Sequence, residues 1–388
     1  MSPVLRDLRP QFSAFLGGDP HRLHFAAHSH HPWPDASRAG HLQAWDDAAR
    51  LIDGKWDRVL GPVLAAAQGH VARNLRLPDP QSVVFAPNTH ELAMRLLSCL
   101  PVDRPARVLT TDSEFHSFAR QLARLEEDGL VTVERIAAEP FDDFGARFAA
   151  AARAGGHDLV WLSSVFFNSG FAVPDLDAII AAADPAALLV VDGYHAFMAL
   201  PVDWSAFAGR AFFIAGGYKY AMAGEGACFM HCPPGQALRP RDTGWYAAFG
   251  ALSSAQDSRV PYAESGWRFM GATFDPSGLY RFNAVQDWLL GQGLGVADIH
   301  AHVQALQALF LARLPCGPFT AARLVVRPDQ PHGHFLTFAL DDAAAVHDRL
   351  HRAGIVTDRR GDRIRFGFGL YQTEAEVMAL AGRIAGLT

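Results

Sequence analysis

The stretch Leu188-Leu189-Val190-Val191-Asp192-Gly193-Tyr194-His195 opens with four apolar residues and breaks at an acid and a glycine, as a buried strand does when it ends in a turn. A second run of this kind follows, Phe213-Ile214-Ala215-Gly216-Gly217-Tyr218-Lys219-Tyr220, again apolar and again closing on glycines and a charged residue. Short runs without polar alternation suit strands covered on both faces, which is the situation in parallel sheets packed between helices. Working outward, β-like runs recur at 82–85, 107–110, 131–136, 159–162, 187–191, 211–214 and 227–230. Longer helix-like segments separate them; in 91–100, Leu92, Leu96, Leu97 and Leu100 fall on one face, with Asn88 or Thr89 as the cap. The expected fold class is α/β, with a mainly parallel seven-stranded sheet in a large domain.

Beyond residue 280 the pattern changes. Two long helices are expected over 280–314, around Gly291, Gly293 and Gly295. Strands at 334–339, 355–357 and 363–368, with helices at 343–352 and 374–384, predict a smaller α+β C-terminal domain. The expected division is an N-terminal segment, 1–60, bordering the active site and packing on the small domain, then a large domain, 61–275, and the small domain, 276–388. No internal repeat is evident.

Composition narrows the functional classes. Of 388 residues half are hydrophobic and 19% are charged, and 34 basic against 40 acidic residues give a formal charge of −6 without a long basic run. That balance argues against a nucleic-acid partner. No stretch of 18 apolar residues exists and the start lacks the regions of a signal peptide, so no membrane partner and a cytoplasmic location are expected. Cys99, Cys228, Cys232 and Cys316 lie in apolar segments, as buried thiols do. Cys228 and Cys232 have no second pair to complete a zinc site.

An amine and a carboxylate, each just past a strand end, are the groups that pyridoxal 5'-phosphate requires: a lysine for the Schiff base and an acid for the pyridinium nitrogen. Lys219 and Asp192 are the candidates, with His195 available to the cofactor's phenolic oxygen or to a substrate carboxylate. Asn88 and Thr89, between a strand and a helix start, suit a phosphate. Phe115 is placed to stack on a flat ring. Arg365 can grip a carboxylate with two parallel hydrogen bonds, but Arg363 shares its strand face and period 2 does not choose between them. The histidines His21, His24, His28, His30 and His31 lack metal-ligand spacing, and Pro32 and Pro34 make their segment extended. They are expected at the mouth of the site, and no metal is expected.

Taken together, these residues resemble the class V aminotransferases, pyridoxal phosphate enzymes of fold type I, and within them are most similar to the kynureninases. Val191-Asp192-Gly193-Tyr194-His195 is similar to the family's strand-end Asp-x-x-His, and Tyr218-Lys219-Tyr220, followed by Gly224-Glu225-Gly226, to its Tyr-Lys-Tyr and Gly-x-Gly turn. The resemblance implies that Lys219 carries the cofactor, Asp192 pairs with its ring nitrogen and Tyr218 reaches its phosphate. It further implies ring stacking by Phe115, contributions from Trp245 and Thr273 across a homodimer with shared sites, and carboxylate binding by Arg365 rather than Arg363. Three positions depart from the kynureninase pattern: Phe118 in place of an aspartate, His28-Ser29-His30-His31 in place of Asn-Ser-Leu-Gly, and Asn168.

The resemblance therefore implies a kynureninase-like hydrolase acting on a small-molecule amino-acid substrate, kynurenine or a related aryl amino acid, with Tyr218 assisting proton transfer. Transamination or carbon–sulfur lysis on the same scaffold is the close alternative, since fold does not fix reaction type. Cysteine desulfuration is disfavoured, because Cys316 lies well upstream of Arg365. A non-catalytic cofactor-binding protein is the alternative from a different class.

Overall fold

The computed structural model describes residues 5–19, 21–251 and 259–387; Met1 to Val4, part of the chain start read above, lie outside them. The strands are β1 (Leu23–His24), β2 (Val83–Ala86), β3 (Ala106–Thr111), β4 (Val131–Ile136), β5 (Leu159–Ser163), β6 (Leu188–Asp192), β7 (Phe212–Gly216), β8 (Cys228–His231), β9 (Phe335–Ala339), β10 (Ile355–Val356), β11 (Asp358–Arg360) and β12 (Arg363–Gly367). The large sheet has seven strands in the order β2-β8-β7-β6-β5-β3-β4, as the alternation of apolar runs and helices predicts.

Strands β4, β3, β5, β6 and β7 pair in parallel, whereas β8 runs antiparallel to both β7 and β2. The exception has a local cause. A parallel return needs a crossover of a dozen or more residues, usually helical, and the segment from Gly217 to Ala227 folds back through left-handed Gly224 (φ 69) and Gly226 (φ 88) instead. That segment carries Lys219.

Alternation along the central strands explains the two-sided core. Leu189, Val191 and Phe213 belong to a cluster with the helices Leu64–Leu75, Phe144–Ala154 and Ser277–Gly291, while Leu188, Val190 and Phe212 face the helices Thr89–Leu97 and His116–Glu127. Each such side chain contributes about 1.5–3 kcal/mol on burial, which makes β6 and β7 a rigid base for the groups at their ends. Strand β4 lies at the edge and alternates buried with exposed positions.

The C-terminal sheet is antiparallel, β11-β12-β9. β1 pairs in parallel with β10, and Ala26 bridges Gly367, so the N-terminal segment is bound to the C-terminal sheet before it enters the helix Asp35–Leu51. β1 and β11 are absent from the sequence-based expectation: β1 is two residues long, and β11 reads Asp358-Arg359-Arg360, without an apolar residue. No helix among the described residues is long and apolar enough to cross a membrane.

Candidate active site

The C-terminal ends of β6 and β7 deliver the central groups. Asp192 is the last residue of β6, and its Oδ1 accepts the Tyr194 N–H at 2.9 Å. Gly193 has no alternative at its position, because a Cβ there would strike the Phe213 ring on the neighbouring strand. The turn it permits brings His195 back under the connection from β7 to β8, where its Nε2 lies 2.5 Å from Lys219 Nζ. Lys219 Nζ also stands 5.0 Å from the Tyr194 ring centroid and 5.5 Å from that of Phe115.

Burial dominates the electrostatics. It lowers Lys219 from an ordinary 10.5 to about 7 against the attraction of Asp192, raises Asp192, and holds His195 neutral. The lysine is thus available as a free amine near neutral pH, a property that requires its buried surroundings.

These groups line a cavity of about 580 Å³. At one end it meets the start of the helix Thr89–Leu97, with Asn88, Thr89 and His90 on its wall. Asn88 Oδ1 accepts the Glu91 N–H at 2.9 Å and caps the helix, and a helix start at a cavity is a place that attracts phosphate. Phe115, 39% exposed, flanks the space beside Lys219. Tyr218 lines the same wall, edge-on to His30 at 5.6 Å.

The other end is the Arg365 end. Arg365 lines the cavity and is buried, whereas Arg363 is bound to Glu139 at 2.8 Å and to the Asn168 carbonyl at 3.3 Å. Of the two arginines on this strand face, Arg365 is the one that reaches the cavity. His28 and His30 line the cavity, while the half-buried His24 and the buried His31 pack against Tyr371. Among the described residues no group of three or more His, Cys, Asp or Glu side chains is arranged to hold a metal.

Some expected residues lie elsewhere in the chain. Trp245 is 45% exposed and stacks on Tyr246 at 4.3 Å, and Thr273 borders a separate pocket beside Pro87 and Arg95. Neither meets the Lys219 cavity within one chain. Phe118 stacks on Trp161 at 4.0 Å inside the core, so the replacement of an aspartate there changes packing and leaves the cavity wall untouched. Asn168 lies outside the cavity wall, and its amide contacts Ser113 at 3.4 Å.

Other contributors escape the motif reading. Glu114 is buried, accepts the Thr111 and Ser163 hydroxyls, each at 2.7 Å, and is raised to about 7 by burial. It fixes Ser163, the register partner of Asp192 and a cavity residue. The signal was a carboxylate just past the apolar-to-threonine end of β3. Phe167, Tyr194, Cys228 and Arg360 also line the cavity, and only the tertiary fold brings them there.

The model of the family described as Aminotransferase class-V matches residues 61–380. The chain belongs to the class V aminotransferases. No sequence among curated proteins matches this class V chain. Solved structures similar to it include a mutant of C-DES with glycine covalently linked to its PLP cofactor, at 19% identity and a TM-score of 0.81, covering 97% of this chain and 98% of that one. The apo cysteine desulfurase of Thermococcus onnurineus NA1 is similar at 16% identity and a TM-score of 0.80, covering 100% and 99%. The cysteine desulfurase CsdA of Escherichia coli is similar at 17% identity and a TM-score of 0.78, covering 98% and 97%. These likenesses establish a common fold.

The cofactor of this class V chain is pyridoxal phosphate, and the residues present fit it. An amine and an acid, both half-buried, face one space, a helix start opens on one end, and the buried His195 Nδ1 has no hydrogen-bond partner among the described residues.

Proposed function

We propose that this enzyme cleaves a bond at Cβ of an amino acid, with carbon–sulfur lysis as the first reading, and that it works as a homodimer. The observation that carries the proposal is the contact of Lys219 Nζ with His195 Nε2 at 2.5 Å inside a cavity that also holds Arg365. Within this scaffold, structural relatives described as a cystine C-S lyase, in complex with cysteine persulfide, and as cysteine desulfurases favour sulfur chemistry.

When bound, pyridoxal phosphate supplies the electron sink for charge developing at the substrate's Cα. Arg365 receives the substrate carboxylate and so orients the Cα–H bond toward Lys219. As a free amine, Lys219 Nζ would take the α-proton, and His195 Nε2 would stabilise that amine through their contact. Asp192, at the end of β6, would hold the ring nitrogen of the bound group through its negative charge. Tyr218, on the cavity wall, donates a proton to the departing group.

The thiols argue for release of product over capture of sulfur by the protein. Cys316 is buried and bridged to Phe319 in the C-terminal core, away from the cavity. Cys228 lines the cavity, but burial raises its thiol to about 11, and it lies 3.5 Å from the Tyr194 hydroxyl. Neither is an exposed, low-pKa nucleophile.

One observation favours kynurenine-type hydrolysis as a second reading. Phe115 and Phe167 meet edge-to-face at 5.5 Å, with His116 against Phe167 at 4.9 Å, which is a suitable wall for an aryl ring. Incubation of cofactor-loaded protein with cystine, cysteine and kynurenine separates the two. Pyruvate from the sulfur amino acids is the expected result; anthranilate and alanine from kynurenine alone would transfer the assignment to the hydrolase.

The homodimer reading rests on the family resemblance, by which Trp245 and Thr273 would serve a neighbouring copy's site, and on their standing outside their own cavity. Sedimentation is expected to give a particle of two chains. A fully active single chain would end that part of the proposal.

A further inference from the structure

The β11–β12 hairpin sets Asp358 opposite Arg365 and Arg360 opposite Arg363. Because side chains alternate, these four residues share one face. Arg363 is engaged by Glu139, while Arg360 and Arg365 both line the cavity. Asp358 forms an ion pair with Arg365 Nη2, and Arg365 Nη1 donates to the Phe167 carbonyl. The fork that a substrate carboxylate would meet therefore already holds a carboxylate.

Two more groups approach Asp358 Oδ2 without reaching hydrogen-bond distance: His28 Nε2 at 3.7 Å and Arg360 Nε at 3.8 Å. His28 is completely buried, stacks on Phe335 at 4.5 Å, and has neither ring nitrogen hydrogen-bonded among the described residues. Asp358 Oδ2 likewise lacks an aligned hydrogen bond despite its ion pair. Buried polar atoms left unbonded in this way are unfavourable unless another arrangement uses them. The corner also carries two guanidinium groups against one carboxylate, an imbalance that one incoming carboxylate corrects.

We propose that Asp358 is an internal stand-in for the substrate carboxylate, which enters by exchange: it takes the Arg365 fork while Asp358 passes to Arg360 and His28. Asp358 is thus a positioning residue. This deepens the amino-acid reading of the site and rests on it.

The test is calorimetric titration of cofactor-loaded protein with 3-phenylpropanoate, a carboxylate with no amine to react at Lys219. Asp358→Asn removes the competitor and is expected to tighten binding roughly five- to tenfold; unchanged or weaker binding overturns the exchange. Arg360→Gln is expected to weaken binding in the parent by a similar factor and to have no effect in the Asp358→Asn background. Equal losses in both backgrounds would mean that Arg360 holds the ligand directly, which also overturns it. If Asp358→Asn does not fold, the double variant of His28→Asn with Arg360→Gln must bind more weakly than either single variant, and parental affinity in it refutes the exchange. Failure of the functional reading is seen separately, as cofactor-loaded protein that releases no product from any amino acid while 3-phenylpropanoate still binds; the titration reads the exchange in either case.

Discussion

Lys219→Ala is expected to abolish turnover, with a loss of roughly 10³-fold or more, because in the proposed function one amine both anchors the cofactor and moves the α-proton. Three readouts separate this from a folding defect. Borohydride treatment followed by peptide mass analysis should fix cofactor on Lys219 in the parent and nowhere in the variant. In the parent, the rate of cofactor attachment should rise with pH and level off just above 7, because burial lowers the amine to about 7; an exposed lysine would continue to gain reactivity toward ~10.4. The third readout is stability without cofactor. Below its unfolded pKa the amine must lose a proton or remain charged without water, at about 1.4 kcal/mol for each tenfold change in proton affinity. Cofactor-free Lys219→Ala should therefore melt higher than cofactor-free parent at pH 7, and the difference should shrink as pH rises toward 10.5. A variant that retains turnover, or reduction that labels another lysine, would remove Lys219 from the centre of the site.

What could be read in advance depended on how local each determinant is. The apolar runs at β5, β6 and β7 are short and buried on both faces, so their composition alone marks them as strands. Asp192, His195 and Lys219 lie within a few residues of those strand ends, and the local turns carry them to one point. The reversed direction of β8 was less accessible, since it follows from the absence of a helix in the β7–β8 connection. Asp358 and Arg360 were inaccessible for the opposite reason. β11 contains only charged residues, and its identity as a strand arises entirely from pairing with β12. Period 2 could place Arg363 and Arg365 on one face, but Glu139, more than two hundred residues earlier in the chain, decides which of them remains available. The cavity histidines are intermediate: Pro32 and Pro34 predict an extended segment, while β1–β10 pairing positions it.

Asp192→Asn is expected to lower turnover by roughly 10²- to 10³-fold, the scale of removing one oriented electrostatic partner from a buried site. The substitution is nearly isosteric, and the amide oxygen can still accept the Tyr194 N–H that Oδ1 accepts at 2.9 Å. The β6 turn and the packing of Gly193 under Phe213 should survive, so cofactor should still attach at Lys219. The lost element is charge. A carboxylate stabilises a protonated ring nitrogen, whereas the amide presents its own N–H to that nitrogen and favours the neutral form. Burial already raises Asp192, with the Tyr194 N–H and Lys219 opposing it, so in the loaded enzyme the carboxylate depends on a cationic partner to stay ionised. The expected signature is near-parental cofactor content with an altered visible spectrum and a reduced kcat, while KM, which the proposed carboxylate site at Arg365 would set, changes little. Glutamate at 192 should recover only part of the rate, because its longer arm carries the charge away from the end of β6. Turnover within tenfold of the parent in Asp192→Asn would show that the charge at the end of β6 is not what drives the chemistry, and the ring nitrogen would then need another partner.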